Sequence, residues 1–199
     1  MEIKLPNPKL INIEPILVKR RSIREYGDEP LTLEELSQLL FACQGVTNDY
    51  GFRTAPSAGT TYPLEIYISV KNVVGLDSGV YKYIPHSHSL LKVFNGDVGE
   101  ELSILSLNQY FIAEAPVVII FTAVYERTMQ RYGKRGIRYV HIEVGCTSQN
   151  VYLEATALNL ATVAVGAFDD EGIIKLIGLK EEYPLLLMPV GRIIYRSMR

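Results

Sequence analysis

Arg20-Arg21-Ser22-Ile23-Arg24-Glu25-Tyr26 places three guanidinium groups and a hydroxyl within five residues of a 199-residue chain. Each guanidinium is a planar fork of donors that matches phosphate geometry. Charges this close repel one another, so an anion is the natural compensator. The alternatives are a solvated basic patch, or pairing with Glu25 and Asp28. If the segment opens a helix, Arg20 and Arg24 share a face at i, i+4. Upstream, Pro15 to Lys19 reads as a short helix or turn.

Downstream, Thr32 is a candidate N-cap with Glu35 as its capping-box partner. Leu33, Leu36, Leu40 and Cys43 follow at helical spacing, and Gly45 is a stop. Asn48 to Gly59 is a loop of polar and small residues. Leu64 to Val70 alternates, with Leu64, Ile66, Ile68 and Val70 on one face, which predicts a half-buried strand. Val80–Ile84 and Leu90–Phe94 form a hairpin around a tip that carries His86 and His88 at the surface. Asp97 and Glu100 start a helix that runs through Leu107, and Pro116 opens an apolar strand, Val117 to Val124. Arg138 to Leu160 is a long helix with Ile142, Cys146, Gln149, Leu153, Ala157 and Leu160 near one face. A short strand from Ala161 to Gly166, a helix from Asp169 to about Ile177 and a strand from Leu185 to Val190 complete the chain. Helices and strands mix without a strict βαβ repeat, which favours an α+β fold over a doubly wound sheet. No repeat or linker breaks the sequence, so residues 1–199 read as a single domain.

Two further segments are suited to holding a ligand. Ala55-Pro56-Ser57-Ala58-Gly59-Thr60-Thr61-Tyr62-Pro63 is a loop of small and hydroxyl residues that lets backbone groups approach a ligand closely. Val165-Gly166-Ala167-Phe168-Asp169 joins a strand to a helix, and such a turn leaves N–H groups free. Either could equally be an ordinary turn. No GxGxxG or Walker A motif accompanies them. GxSxG is also absent, and Ser57 has no evident histidine partner. None of the three histidines sits in a zinc-ligand pattern.

Bulk properties narrow the function further. A formal net charge of −2 gives no global case for nucleic acid or an anionic membrane. The longest apolar run, Ala115 to Val124, falls short of the roughly 20 residues a membrane helix needs, and no signal peptide is visible at the start. Cys43 and Cys146 read as two buried thiols rather than a disulfide or metal pair, in keeping with a cytoplasmic protein.

In combination and order the three motifs carry a resemblance. Residues 20–26 resemble the RRSxRxF/Y opening of the nitroreductase family. Pro56-Ser57-Ala58 with Pro63 resembles the segment that follows it, and Val165 to Asp170 resembles the later strand–helix turn. Tyr132-Gly133-Lys134-Arg135-Gly136-Ile137-Arg138-Tyr139, then Glu143 and Gln149-Asn150, is similar to the SagB-type branch, which includes azoline dehydrogenases; so is Gly79 to Tyr83. The similarity runs from about residue 15 to 195. It implies a nitroreductase-like α+β fold, with a central, mostly antiparallel sheet flanked by helices, in an intertwined homodimer. It also implies bound FMN, with hydride passing from NAD(P)H to a nitro, quinone or similar small-molecule acceptor. Arg20, Arg21, Ser22 and Arg24 would hold the phosphate and ribityl chain. Pro56, Ser57, Ala58 and Thr60 would line the ring from the partner subunit, Thr60 standing where many members have Asn. Val165, Gly166 and Ala167 would present backbone donors to the ring, and Arg192 or Arg196 a C-terminal cation to the phosphate. No side chain need act as a nucleophile or base. The rival expectations are an azoline dehydrogenase acting on a modified peptide, and a flavin-binding protein without turnover.

Overall fold

The structure, a computed structural model, describes residues 2–6 and 13–194. Its centre is a pair of apolar strands, β3 (Leu64–Val70) and β6 (Val117–Ala123), paired antiparallel with Ile68 opposite Ile119. Outward from β3 lie β4 (Gly79–Ile84), β5 (Ser89–Asn95) and β1 (Glu2–Lys4); outward from β6 lie β8 (Tyr183–Ile193) and β2 (Tyr26–Gly27). A short β7 (Leu160–Thr162) also pairs with β8, and all the strand pairings of the sheet are antiparallel.

Alternating side chains send the sheet's two faces into separate cores. Ile66, Ile68, Ile119 and Phe121 pack under α2 (Leu33–Gln44) and α6 (Arg135–Ala157). Tyr67, Val118, Ile120 and Leu187 pack under α3 (Gly99–Leu105), α4 (Phe111–Glu114) and α7 (Asp170–Ile177). Three layers result, with helices on both sides of an antiparallel sheet. The expected half-buried β3 is therefore wrong in one respect. Its second face is covered too, and Tyr67 and Ser69 are as closed off as Ile68.

The capping box at α2 forms as expected. Thr32 Oγ1 accepts from the Glu35 N–H at 3.2 Å, and Glu35 Oε2 accepts from the Thr32 N–H at 2.8 Å. Helix α3 starts on Val98, with Asp97 one residue outside it accepting from the Gly99 N–H. Helix α6 presents a different face from the one its apolar spacing suggested. Val140, Glu143, Thr147, Val151 and Ala155 are buried, whereas Ile142 is 55% exposed and Gln149 also faces out. The hairpin tip also differs from expectation. His88 folds inward at φ 45°, with Nδ1 2.8 Å from the Tyr83 hydroxyl and Nε2 2.8 Å from the Ser37 hydroxyl. Cys43 is buried, Cys146 only partly, and both are free thiols. Among the described residues no helix is long and apolar enough to cross a membrane.

Candidate functional site

The three ligand-suited segments fall in two places. The first gathers residues 20–24 and 164–167 around β7 and β8. Helix α1 (Glu14–Lys19) ends at Arg20, whose ψ of 125° turns the chain extended. The expected helical face shared by Arg20 and Arg24 is therefore not formed. Instead the Ile23 N–H donates to the Thr162 carbonyl at 2.9 Å, and Tyr26 pairs with Ile193. Gly191 permits this approach, because a Cβ there would stand 2.8 Å from the Tyr26 Cβ.

Tyr152 of α6 ties the two segments together. Its hydroxyl lies 3.0 Å from Ser22 Oγ and accepts from the Ala164 N–H at 2.8 Å. The Arg20 guanidinium sits 5.1 Å above the Tyr152 ring, and that of Arg24 is 5.9 Å from the Phe111 ring. Arg21 donates to the carbonyls of Val18 and Arg20. Among the described residues the ion pairs engage Lys82, Arg127 and Arg192, not these three arginines. Arg21, Ile23, Thr156, Asn159, Thr162 and Ile193 line a cleft of about 230 Å³ beside them.

Beyond β7, Val165 bridges to Leu187 by reciprocal bonds of 2.8 and 2.9 Å. The chain then turns through Gly166 and Ala167 into α7, which Asp169 caps by accepting from the Gly172 N–H at 3.1 Å. Among the described residues neither the Gly166 nor the Ala167 N–H has a partner, and both residues are exposed. Gly166 also borders a cavity of about 440 Å³ with Tyr125, His141, Phe168 and Tyr183. Among the described residues, arginines outside any ion pair on one side and backbone donors without partners on the other suit a planar ligand that ends in an anion. These features fit the flavin that the family resemblance implies.

The two C-terminal cations fare differently. Arg192 is committed inside the fold: Nη2 donates to Glu35 Oε2 and to the Pro30 carbonyl, each at 2.8 Å, and Nη1 donates to Glu35 Oε1. A fork so engaged has little left for a phosphate. Arg196 lies outside the described residues.

The second place is the loop from Pro56 to Pro63. A single 3₁₀ turn, Ala58–Thr60, is held with positive φ at Gly59 (61°), Thr60 (55°) and Tyr62 (42°). For threonine and tyrosine that region is strained, and such strain persists only where the surroundings enforce it. Helix α5 (Tyr125–Tyr132) does the enforcing. Arg131 donates to the Gly59 carbonyl and Arg127 to the Tyr62 carbonyl, each at 3.1 Å, and Thr128 Oγ1 lies 2.7 Å from Thr61 Oγ1. Ser57 Oγ accepts from the Tyr62 N–H at 2.9 Å. Among the described residues no hydrogen bond, ion pair or ring contact connects this loop to residues 20–24 or 164–167. One chain therefore does not gather all the predicted site residues.

Sequence reading missed Tyr152 and helix α5. Tyr152 looked like one of thirteen tyrosines. Helix α5 is short and mostly polar, with Arg127 and Arg131 lying four apart.

The comparisons agree with this geometry. The sequence profile of the nitroreductase family matches residues 17–192. A protein of Methanocaldococcus jannaschii, provisionally named a nitroreductase, is 59% identical over 192 residues, covering 96% of each chain. A crystal structure from Ralstonia eutropha, provisionally named likewise, superposes with a TM-score of 0.85 at 28% identity, over 98% of this chain and 90% of that one. The microcin B17-processing protein McbC of Escherichia coli is 25% identical over 146 residues, which span 70% of this chain and 54% of McbC. An antiparallel sheet between two helical layers, motifs in the family's order and a match across nearly the whole chain lead to one conclusion: the protein belongs to the nitroreductase family, whose members and structural neighbours support a general oxidoreductase role.

Proposed function

We propose that two copies of this chain bind FMN between them and pass hydride from NADH or NADPH to a nitro, quinone or similar small acceptor. The observation that carries this reading is the split site. Among the described residues, arginines outside any ion pair and N–H donors without partners lie around β7–β8, while the strained loop from Pro56 to Pro63 sits apart. A second copy could bring its own loop to the first copy's arginines. Exposed apolar side chains support such a pairing, among them Val18 of α1 and Ile137 and Ile142 of α6. Arg20, Arg21, Ser22 and Arg24 would hold the phosphate and ribityl chain, and Gly166 and Ala167 would donate to the ring. Ser57, Ala58 and Thr60 would close it from the other copy. The redox chemistry is the flavin's own: hydride acceptance from a nicotinamide and electron delivery to the acceptor.

Three measurements on the purified protein test this. Heat should release FMN rather than FAD, and light scattering should give a dimer. Steady-state rates with NAD(P)H and a quinone should yield parallel double-reciprocal lines. A colourless protein that FMN cannot reconstitute would sink the reading. A second reading, an azoline dehydrogenase acting on a modified peptide, draws on the likeness to McbC and on α5, whose Arg131 and Tyr132 crowd Gly59. Flavin reduction by a peptide azoline but not by either nicotinamide would favour it. Bound FMN that no donor reduces would leave a flavin carrier.

A further inference from the structure

Helix α6 buries a carboxyl that neither the fold nor the proposed redox step requires. Glu143 is 2% exposed. Neither of its oxygens has a hydrogen-bond partner among the described residues, and Arg53 Nε nearby also lacks one. The groups that bear on its charge are the Ser57 hydroxyl, the Arg53 guanidinium and the Gln44 amide. Beyond them, Arg53 feels Glu65, Tyr62 and Arg127.

Most of that capacity is already spent. Gln44 Nε2 donates to Thr147 Oγ1 at 3.2 Å, and Gln44 Oε1 accepts from Arg53 Nη1 at 3.0 Å. The Arg53 guanidinium lies 4.5 Å over the Tyr62 ring. Ser57 is different. Its oxygen accepts from the Tyr62 N–H, which leaves one proton to give and one lone pair to fill. Ser57 is near enough to Glu143 to bear on its charge, and a hydrogen bond between them would use one or the other.

We propose that Glu143 is a positioning residue for the loop from Pro56 to Pro63, deciding whether Ser57 offers its ligand a proton or a lone pair. The inference rests on the flavin reading above and names a control within that site. An ionised Glu143 accepts a hydrogen bond from the Ser57 O–H, so the hydroxyl turns a lone pair outward. A protonated Glu143 donates to the Ser57 oxygen instead, and the serine O–H is turned toward the ligand. Burial pushes the Glu143 carboxyl up to about 7, against the pull of Ser57, Arg53 and Gln44. Both states are therefore populated near neutrality. A flavin ring and its ribityl chain present more acceptors than donors, so the protonated state is the tighter binder.

The test is fluorescence titration of the flavin-stripped full-length protein with riboflavin and with FMN, from about pH 5.5 to about 8.5. Riboflavin is the decisive ligand, because a phosphate monoester itself titrates near pH ~6. The wild type should bind riboflavin several-fold more tightly at the acid end, with a midpoint near 7. Glu143→Gln, whose amide donates to Ser57 at every pH, should keep the acid-end affinity throughout. Ser57→Ala should lose the slope as well. A flat wild-type profile, or a Glu143→Gln slope like that of the wild type, overturns the inference while leaving flavin binding intact. Failure to bind either flavin at any pH overturns the functional reading and this inference with it. If circular dichroism shows Glu143→Gln unfolded, Ser57→Ala decides alone, and a retained slope there is fatal.

Discussion

Two polar clusters flank the loop from Pro56 to Pro63, one part-buried and one buried, and they are built on opposite plans. In one, Lys82 Nζ reaches Glu65 and Glu182, each at 3.1 Å, Arg127 adds a second cation to Glu65, and the Tyr67 hydroxyl donates to Glu182. In the other, Glu143 and the Arg53 Nε lie buried without hydrogen-bond partners among the described residues. Burial acts against charge in both. The Lys82 hydrogen bond and charge outweigh it in the first, so the Glu182 carboxyl is held down at about 2. Burial wins in the second. A fold that can satisfy buried ions as fully as it does around Lys82 has left Glu143 with protonation still to be decided. Such unsatisfied groups cluster where proteins do chemistry or bind ligands.

Breaking the satisfied cluster should cost most. Lys82→Met leaves Glu182 without its cation and Glu65 with Arg127 alone in a largely closed site, and loss of one partner from a buried ion pair costs about 3–5 kcal/mol. Because these side chains are 14–22% exposed, the lower end is expected, read as unfolding free energy in urea at neutral pH. An unchanged midpoint would mean that the ions are effectively solvated.

The two clusters should also respond oppositely to pH. Glu182 is depressed on folding, so its stabilisation is present above its ordinary 4.5 and is lost as pH falls toward about 2. Glu143 is raised, so its contribution is full below 4.5 and is lost as pH rises through about 7. Ionising it in place costs about 3 kcal/mol. Glu143→Gln should accordingly raise stability above pH ~7 by up to that amount and flatten the neutral limb of a melting-temperature profile. Part of the slope should survive, since burial raises the Glu154 carboxyl to about 7 as well. A variant less stable than wild type at alkaline pH would contradict the placement of Glu143 as an orphan.

The same contrast separates the arginines. Among the described residues Arg192 has an ion-pair partner and Arg24 has none. Arg24→Ala should weaken FMN binding by about ten- to a hundred-fold, the worth of a charge-assisted hydrogen bond, and barely touch the apo-protein melt. Arg192→Ala should do the reverse. Equal losses of FMN affinity in the two would show that the phosphate is held elsewhere. Smallest is Thr32→Ala, expected to cost about 1 kcal/mol by removing a satisfied but uncharged cap.

Local rules read well from the sequence wherever one short segment decides the outcome. The Thr32–Glu35 box, the Asp169 cap and the apolar strand after Pro116 all formed where spacing placed them. What failed depended on packing between distant segments. Ile142 and Cys146 have the spacing of a core stripe on α6, yet Val140, Glu143 and Thr147 turned inward, Val140 against Leu64 and Ala123 of the sheet and Thr147 onto Gln44 of α2. His88 turned inward because Ser37 and Tyr83 offered both ring nitrogens partners, which no local pattern announces. The candidate site was legible as three motifs, but not their division between two places, nor Tyr152, the hinge of one of them.

One carboxylate has a wider reach than its local chemistry suggests. Glu35 closes the first turn of α2 and also receives Arg192 from a strand 157 residues away in the chain. Fraying of the last strand would therefore uncap α2, and loosening of α2 would release the strand. In native-state hydrogen exchange the amides of the first turn of α2 and those around Arg192 should open as one cooperative unit, with a common free energy and a common denaturant dependence, although they lie near opposite ends of the sequence.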